Sequence, residues 1–173
     1  MSTPELWSGN ERVSVPSGLG YDLLTRPVLL DETVIAEVIT NDCYRVRGVD
    51  MHAWTVIDCG AHVGVFSTMC ASQGARRVIA VEPQPENLEL LTENVRPFPC
   101  VTIVKMAIGA TAGTTKIAGE SGGTHVEPGH VDAIEVPMTT LATLIDLHGP
   151  HVDLCKLDME GSEVDALLGC DHE

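Results

Sequence analysis

At Val56-Ile57-Asp58-Cys59-Gly60-Ala61-His62-Val63-Gly64 a short apolar run ends in an acid, and a glycine turn then leads into an amphipathic segment. Eighteen residues after Gly64 a second apolar run, Arg77-Val78-Ile79-Ala80-Val81, ends in another acid, Glu82. A strand, a glycine turn, a helix and a second strand in this order are the start of an α/β sheet. The turn and both acids then fall at the C-terminal ends of strands, where such sheets bind ligands.

The pattern repeats along the chain. Thr55 to Asp58 reads as a strand and Val63 to Gln73 as a helix, with Val63, Phe66 and Cys70 on one face and Gly74 just past its end. Arg77 to Glu82 is the next strand. Pro83 to Val95 is the next helix, with Leu88, Leu91 and Val95 inward and Glu86, Glu89 and Glu93 toward water. Val101 to Ile108 reads as one unbroken third strand. Six of the sixteen glycines lie between Gly109 and Gly129, which predicts a hairpin and loops with Thr114 to Ala118 as one arm. Ile134 to Met138 is extended. Thr140 to His148 is a helix burying Leu141, Leu144 and Ile145. Val152 to Asp158 is a fourth core strand, apolar on both faces apart from Lys156, and Glu160 to Leu168 begins another helix. Upstream, residues 1–50 form an N-terminal arm and cap. Residues 1–30 are irregular or form short strands. A short helix follows over Asp31 to Ile39, with Asp31 as N-cap and Val34, Ile35 and Val38 on one face, and then a strand at Tyr44-Arg45-Val46. The expected fold is a Rossmann-like, doubly wound α/β domain over 51–173 with a mostly parallel sheet.

Bulk properties exclude several classes. Only 3% of residues are aromatic against 44% hydrophobic, so aliphatic side chains must build the core. Net charge is −15, and Glu120 to Glu173 holds twelve acids against one base, Lys156. A nucleic-acid partner is not expected, because phosphate binding needs clustered Lys and Arg. No apolar stretch has bilayer-spanning length and no signal peptide is visible, so no membrane association is expected. Cys43, Cys59, Cys70, Cys100, Cys155 and Cys170 form no CxxC pair. They read as buried thiols in a reducing compartment, with the cytoplasm as the expected location.

The spelling of the first turn distinguishes cofactors. A pyrophosphate-binding turn is normally G-x-G-x-x-G; here it is D-x-G-x-x-x-G, with Ala61 after Gly60. A carboxylate in the turn disfavours a pyrophosphate. It suits a ligand with an ammonium group whose own carboxylate meets the helix N-terminus. S-adenosylmethionine has both groups, and Glu82 is placed to accept hydrogen bonds from its ribose hydroxyls.

These segments resemble the FkbM-type methyltransferases, a family of class I S-adenosylmethionine-dependent enzymes. The similarity spans roughly residues 31 to 169. It runs through VIDCGAHVGVFS, RVIAVEPQPENLELLTENV, VKMAIG and VPMTTLATLID, and is most specific at DLCKLDMEGSEVDALLG, which carries the family's K-x-D-x-E-G-x-E pattern. The resemblance implies that Asp58, Gly60, Ala61 and Gly64 hold the methionine end of the cofactor. It implies ribose binding by Glu82, adenine contact by Met106 and Ala107, and a place near the sulfonium and the acceptor for Asp158. His62 stands where the family usually has Asn; it reads as a capping or solvent-facing side chain rather than a base.

Methyl transfer to a hydroxyl needs alignment and removal of a proton. Asp158, Glu160 and Glu163 are the dense polar cluster at the expected site, with Asp158 and Glu160 as the candidate catalytic residues. Glu160 and Glu163 also fit a helix's first turn on dipole grounds alone. No metal is expected on these carboxylates. Lys156 reads either as a partner for a neighbouring acid or as a substrate contact, and His148 and His151 as surface histidines. The implied activity is O-methylation of a small-molecule or glycan acceptor. Family members continue with three more strands, so a fold truncated after the fourth core strand is expected. Two consequences follow: a non-catalytic cofactor-binding or interaction module as the alternative function, and an unpaired edge at 152–158 that favours a homodimer, disorder after about Asp158, or poor solubility.

Overall fold

The computed structural model describes residues 12–27, 31–117, 133–148 and 151–170. The start of the N-terminal arm and the glycine-rich loop with His125 and His130 lie outside the described residues. The first elements are an antiparallel hairpin, β1 (Val13–Pro16) with β2 (Asp22–Thr25), then α1 (Asp31–Ile35), which runs on into a π-helical turn over Ala36–Thr40. Asp31 does not cap this helix. It is the first helical residue, buried, and bound to Arg26. The strand expected at Tyr44–Val46 is absent: those residues form turns, and Arg45 adopts a φ of 56° that no strand accommodates.

The α/β unit follows as β3 (Thr55–Cys59), α2 (Val65–Ser72), β4 (Arg77–Val81), α3 (Pro85–Val95) and β5 (Val101–Val104). Helix α3 starts where it does because Pro85 sits in its first turn, where its missing N–H costs nothing, and Gln84 before it is extended. The expected third strand is split. The chain leaves the sheet at Lys105 and Met106, and β6 (Ala107–Ile108) joins β7 (Gly113–Ile117) and β8 (Ile134–Thr139) in a second sheet of order β6-β8-β7. The apolar run continues across the break because Ile108 is buried against β3 and β4 as part of the core. Then come α4 (Leu141–His148), β9 (Leu154–Leu157) and α5 (Glu163–Leu168).

The main sheet has the order β5-β4-β3-β9, all parallel. Every residue of β3 is buried, as a central strand covered on both faces must be. Strand alternation splits its side chains between two cores. Val56 and Val78 face Phe66, Met69 and Cys70 of α2, in a cluster that also takes in Leu23, Ile35, Val38 and Ile39 from the upstream segment. Ile57, Cys59, Ile79 and Val81 face Leu141 and Leu144 of α4 and Ala166 of α5. A third patch packs Leu91 and Val95 of α3 on Ala80. Full burial of each such aliphatic side chain contributes about 1.5–3 kcal/mol.

Strand β9 is not interior among the described residues. It pairs with β3 alone, and Cys155 is exposed. The chain beyond Asp158 is described through Cys170 and contains α5. No described helix is long and apolar enough to cross a membrane.

Candidate functional site

Parallel pairing brings the C-terminal ends of β3, β4, β5 and β9 to one edge, and a cavity of about 830 Å³ opens there. This is within the range of small-molecule sites. Gly60 and Ala61 from the first turn, Glu82 after β4, Met106 and Ala107 after β5, and Asp158 and Glu160 after β9 all line it. Asp58 and Gly64 do not.

Gly60 has a φ of +78°, and a methyl group built on it falls 1.9 Å from the carbonyl oxygen of Asp158. Only a residue without a side chain lets the turn pass under the end of β9. The N–H groups of Gly60 and Ala61 both donate to the Val81 carbonyl, at 3.0 and 2.9 Å, which binds the turn to β4. Gly64 has a φ of +91° and lets α2 pack closely on α3. A Cβ there would lie 2.8 Å from Leu91 Cδ1, so it is a packing contact between α2 and α3. Gly64 is the N-cap of α2 and no side chain caps the helix. Val65 and Phe66 of that first turn face the cavity, which leaves its positive end available to a carboxylate.

Asp58 lies beneath the cavity, with none of its surface exposed. One carboxylate oxygen accepts from Lys156 Nζ at 2.9 Å and the other from Ser67 Oγ at 2.7 Å. The in-register pairing of Asp58 with Lys156 across β3 and β9 places both on the same face of the sheet. Lys156 also donates to the Gly60 carbonyl at 2.8 Å and lies over the rings of Tyr44 and Phe66. Burial works against its charge, but the neighbouring Asp58 carboxylate outweighs it and holds the lysine pKa above the ordinary value. Of the two readings of Lys156, pairing with an acid is the one observed, and the acid is Asp58.

Glu82 is buried at the cavity wall. Its Oε2 accepts from the backbone N–H of His62 at 2.8 Å. Its Oε1 accepts from the N–H of Gln84 at 2.9 Å and from Asn87 Nδ2 at 3.2 Å. Burial raises its pKa, and these donors pull it part of the way back. Two carboxylate oxygens provide about four acceptor positions; donors among the described residues occupy three, which leaves one on Oε2. Behind it, Arg26 makes a forked contact with Asp31, Nε at 3.0 Å and Nη2 at 2.8 Å, and Nη2 also donates to Asn87 Oδ1 at 2.9 Å.

His62 does not cap a helix; its side chain is half-buried at the cavity wall. It has a left-handed φ of 53°, its Nε2 lies 3.4 Å from Arg26 Nη2 and 3.5 Å from Asp31, and its Nδ1 is buried without a partner among the described residues. Burial lowers its pKa; Asp31 and Asp58 raise it in part, while Arg26 and Lys156 lower it further. The unfolded chain therefore takes up this proton first as pH falls. The contribution is complete above the ordinary histidine value of 6.5 and is lost progressively below it. Urea denaturation should show a larger loss of stability between pH 7.5 and 5.5 in the native chain than in His62→Asn. Equal losses would remove His62 as the cause.

At the opposite wall Asp158 Oδ2 accepts a hydrogen bond from the Tyr44 hydroxyl. Tyr44 packs edge-on against Phe66, with centroids 5.1 Å apart. Burial and the Asp158 carboxylate push its phenol pKa up, so it stays a neutral donor. Glu160 adopts a left-handed φ of 57° and lines the cavity. Glu163 turns back on its own loop: it accepts from the N–H groups of Met159 at 2.7 Å and Gly161 at 3.0 Å, which lower its pKa. Among the described residues no group of three or more His, Cys, Asp or Glu is arranged to hold a metal.

Sequence reasoning did not find Tyr44, Arg26, Asp31 or Asn87. The first three lie upstream of the α/β pattern, and their approach to the sheet leaves no local signal. Asn87 sits five residues beyond Glu82 on the first turn of α3, so the acid-Pro-Gln-Pro-Glu-Asn spacing was the one available clue.

Residues 58–173 match the profile of the methyltransferase FkbM domain. Among solved structures, partial likenesses include a Pyrococcus horikoshii protein described as an RNA methyltransferase (30% identity, 35% of this chain and 32% of that one, TM-score 0.33). Another is a precorrin-6y C5,15-methyltransferase from Geobacter metallireducens (21%, 47% and 42%, 0.35). A third is TYW2 from Pyrococcus horikoshii in complex with MeSAdo (23%, 56% and 36%, 0.38). The chain covers less than half the length of each of these proteins. With the profile matched continuously from the end of β3 to residue 173, this chain belongs to the FkbM methyltransferase family, whose cofactor is S-adenosylmethionine.

Proposed function

We propose that this protein is an S-adenosylmethionine-dependent O-methyltransferase acting on a hydroxyl of a small molecule or carbohydrate. The reading is carried by one observation: a single cavity joins an uncapped helix N-terminus, a buried ribose-type acid and a strand-end carboxylate. The residues present fit the cofactor. Gly60 leaves room at the turn, and the first turn of α2 offers N–H groups for the carboxylate of the methionine end. Glu82 keeps one acceptor position for a ribose hydroxyl, while Met106 and Ala107 offer an apolar surface for the adenine. Asp58 acts from below. By holding Lys156 against the Gly60 carbonyl it fixes the turn that the ligand meets.

When bound, the cofactor supplies a methyl group already activated by the sulfonium. The chain then has to align the acceptor, exclude water and accept a proton. Asp158 is the residue proposed to hold that proton, since its carboxylate faces the cavity and Tyr44 fixes its direction. Glu160 is proposed to bind the acceptor at the rim. An acceptor bearing phosphates is disfavoured by the carboxylates Asp158, Glu160 and Asp165 along this wall.

Calorimetric titration with S-adenosylhomocysteine and with NAD tests the reading. S-adenosylhomocysteine is expected to bind and NAD not to. No binding of S-adenosylhomocysteine would sink it. Binding without methyl transfer to any hydroxyl acceptor would give the non-catalytic cofactor-binding module instead.

A further inference from the structure

We propose that Arg26 is a positioning residue for cofactor recognition, setting the direction of the Glu82 carboxylate through Asn87. The inference rests on the ribose role of Glu82 put forward above. The Asn87 side chain is held at both ends: its oxygen accepts from Arg26 Nη2 at 2.9 Å, and its nitrogen donates to Glu82 Oε1 at 3.2 Å. An amide between a cation and a carboxylate has only one sensible orientation, oxygen toward the guanidinium. Arg26 is itself fixed, because Asp31 accepts from its Nε, its Nη2 and its backbone N–H at 3.0, 2.8 and 2.8 Å. Arg26, Asp31, Glu82 and Asn87 are all buried. Charge-assisted bonds of this kind are shorter and stronger than neutral ones, and in a dry setting they hold their geometry.

The consequence falls on Glu82. Its Oε1 is saturated by Gln84 and Asn87, so the carboxylate cannot rotate without leaving two donors unpaired. The remaining acceptor position on Oε2 therefore points in one direction, beside the His62 N–H. Arg26 and Asp31 both lie upstream of residue 58, where the family match begins. Ribose recognition by this chain thus depends on a segment outside the matched domain, and Arg26 acts on the Glu82 carboxylate through Asn87.

The test uses the full chain with two probes, S-adenosylhomocysteine and its 2′-deoxy analogue. It reads the ratio of their dissociation constants, which a general loss of stability leaves unchanged. The native chain should bind the 2′-deoxy analogue at least about tenfold more weakly, the value of a hydrogen bond to a charged group. Arg26→Lys keeps a cation beside Asp31 but lacks the fork that also reaches Asn87. Its ratio should fall below about threefold, with S-adenosylhomocysteine bound about tenfold more weakly. The paired change Arg26→Met with Asp31→Leu removes both charges together, which buried ion pairs tolerate; it should lose the ratio in the same way and decides the matter if Arg26→Lys does not fold. A native ratio retained in a folded variant overturns the relay and leaves the cofactor site standing. Failure of the native chain to bind S-adenosylhomocysteine overturns both.

Discussion

Gly60→Ala is expected to destabilise the protein by about 2–5 kcal/mol and to abolish measurable binding of S-adenosylhomocysteine. Two costs combine. Alanine at a φ of +78° is strained by about 1–2 kcal/mol. Its methyl group would also meet a backbone oxygen, that of Asp158, at 1.9 Å. A backbone atom cannot step aside as a side chain can, so β3 and β9 must separate at the cavity, adding about 1–3 kcal/mol or more of overpacking. Gly18 provides the internal control. It has nearly the same φ, +79°, with nothing within 4 Å of the added methyl. Gly18→Ala should therefore cost the strain alone. Denaturant midpoints for both variants separate strain from collision, and equal shifts would refute the close approach of Gly60 to Asp158.

Lys156→Met should be about as damaging for a different reason. It leaves the Asp58 carboxylate with no exposed surface and, among the described residues, only Ser67 as a partner. Removing one member of a buried ion pair typically costs about 3–5 kcal/mol. Adding Asp58→Leu removes the stranded charge, so the double variant should recover at least about 2 kcal/mol relative to the sum of the two single changes. Cofactor affinity should not recover with it, because neither variant retains the bond from Lys156 to the Gly60 carbonyl. A double variant that is stable and binds S-adenosylhomocysteine normally would reduce Lys156 to a core residue with no influence on the turn.

The two experiments concern residues that a linear reading treats differently. Gly60 was legible at once, since a glycine between an apolar strand and a helix is needed wherever backbone or ligand comes close. Asp58 is also legible as a strand-end acid, but the partner it takes is not. An acid at a strand end reads as a ligand contact, whereas here it is a buried counter-ion to Lys156, ninety-eight residues away. Nothing near either residue specifies that pairing; it depends on β9 lying beside β3 in one register. The same holds for the break after Val104, which the apolar run conceals because Val104 packs on the core from one side of it and Ile108 is buried in that core on the other.

The linear pattern and the family resemblance together predict the alternation of strands and helices, the parallel sheet, and the placing of Gly60, Ala61, Glu82, Met106, Ala107, Asp158 and Glu160 at one edge of it. The alternation, the sheet and the glycine turn follow from local periodicity and turn chemistry, which act over a few residues, while the places of Met106 and Ala107 are what the family resemblance implied. What those residues touch is visible in the folded chain alone. It turned Asp58 inward onto Lys156, folded Glu163 back on its own loop, and brought Tyr44 to Asp158 and Arg26 to Asn87. Apart from the local Glu163 loop, these contacts join positions 61 to 114 residues apart. The Asp58–Lys156 pair and the Arg26–Asn87 bond draw their energy from burying and pairing charge in a core that exists only once the sheet and its upstream segment have closed on each other.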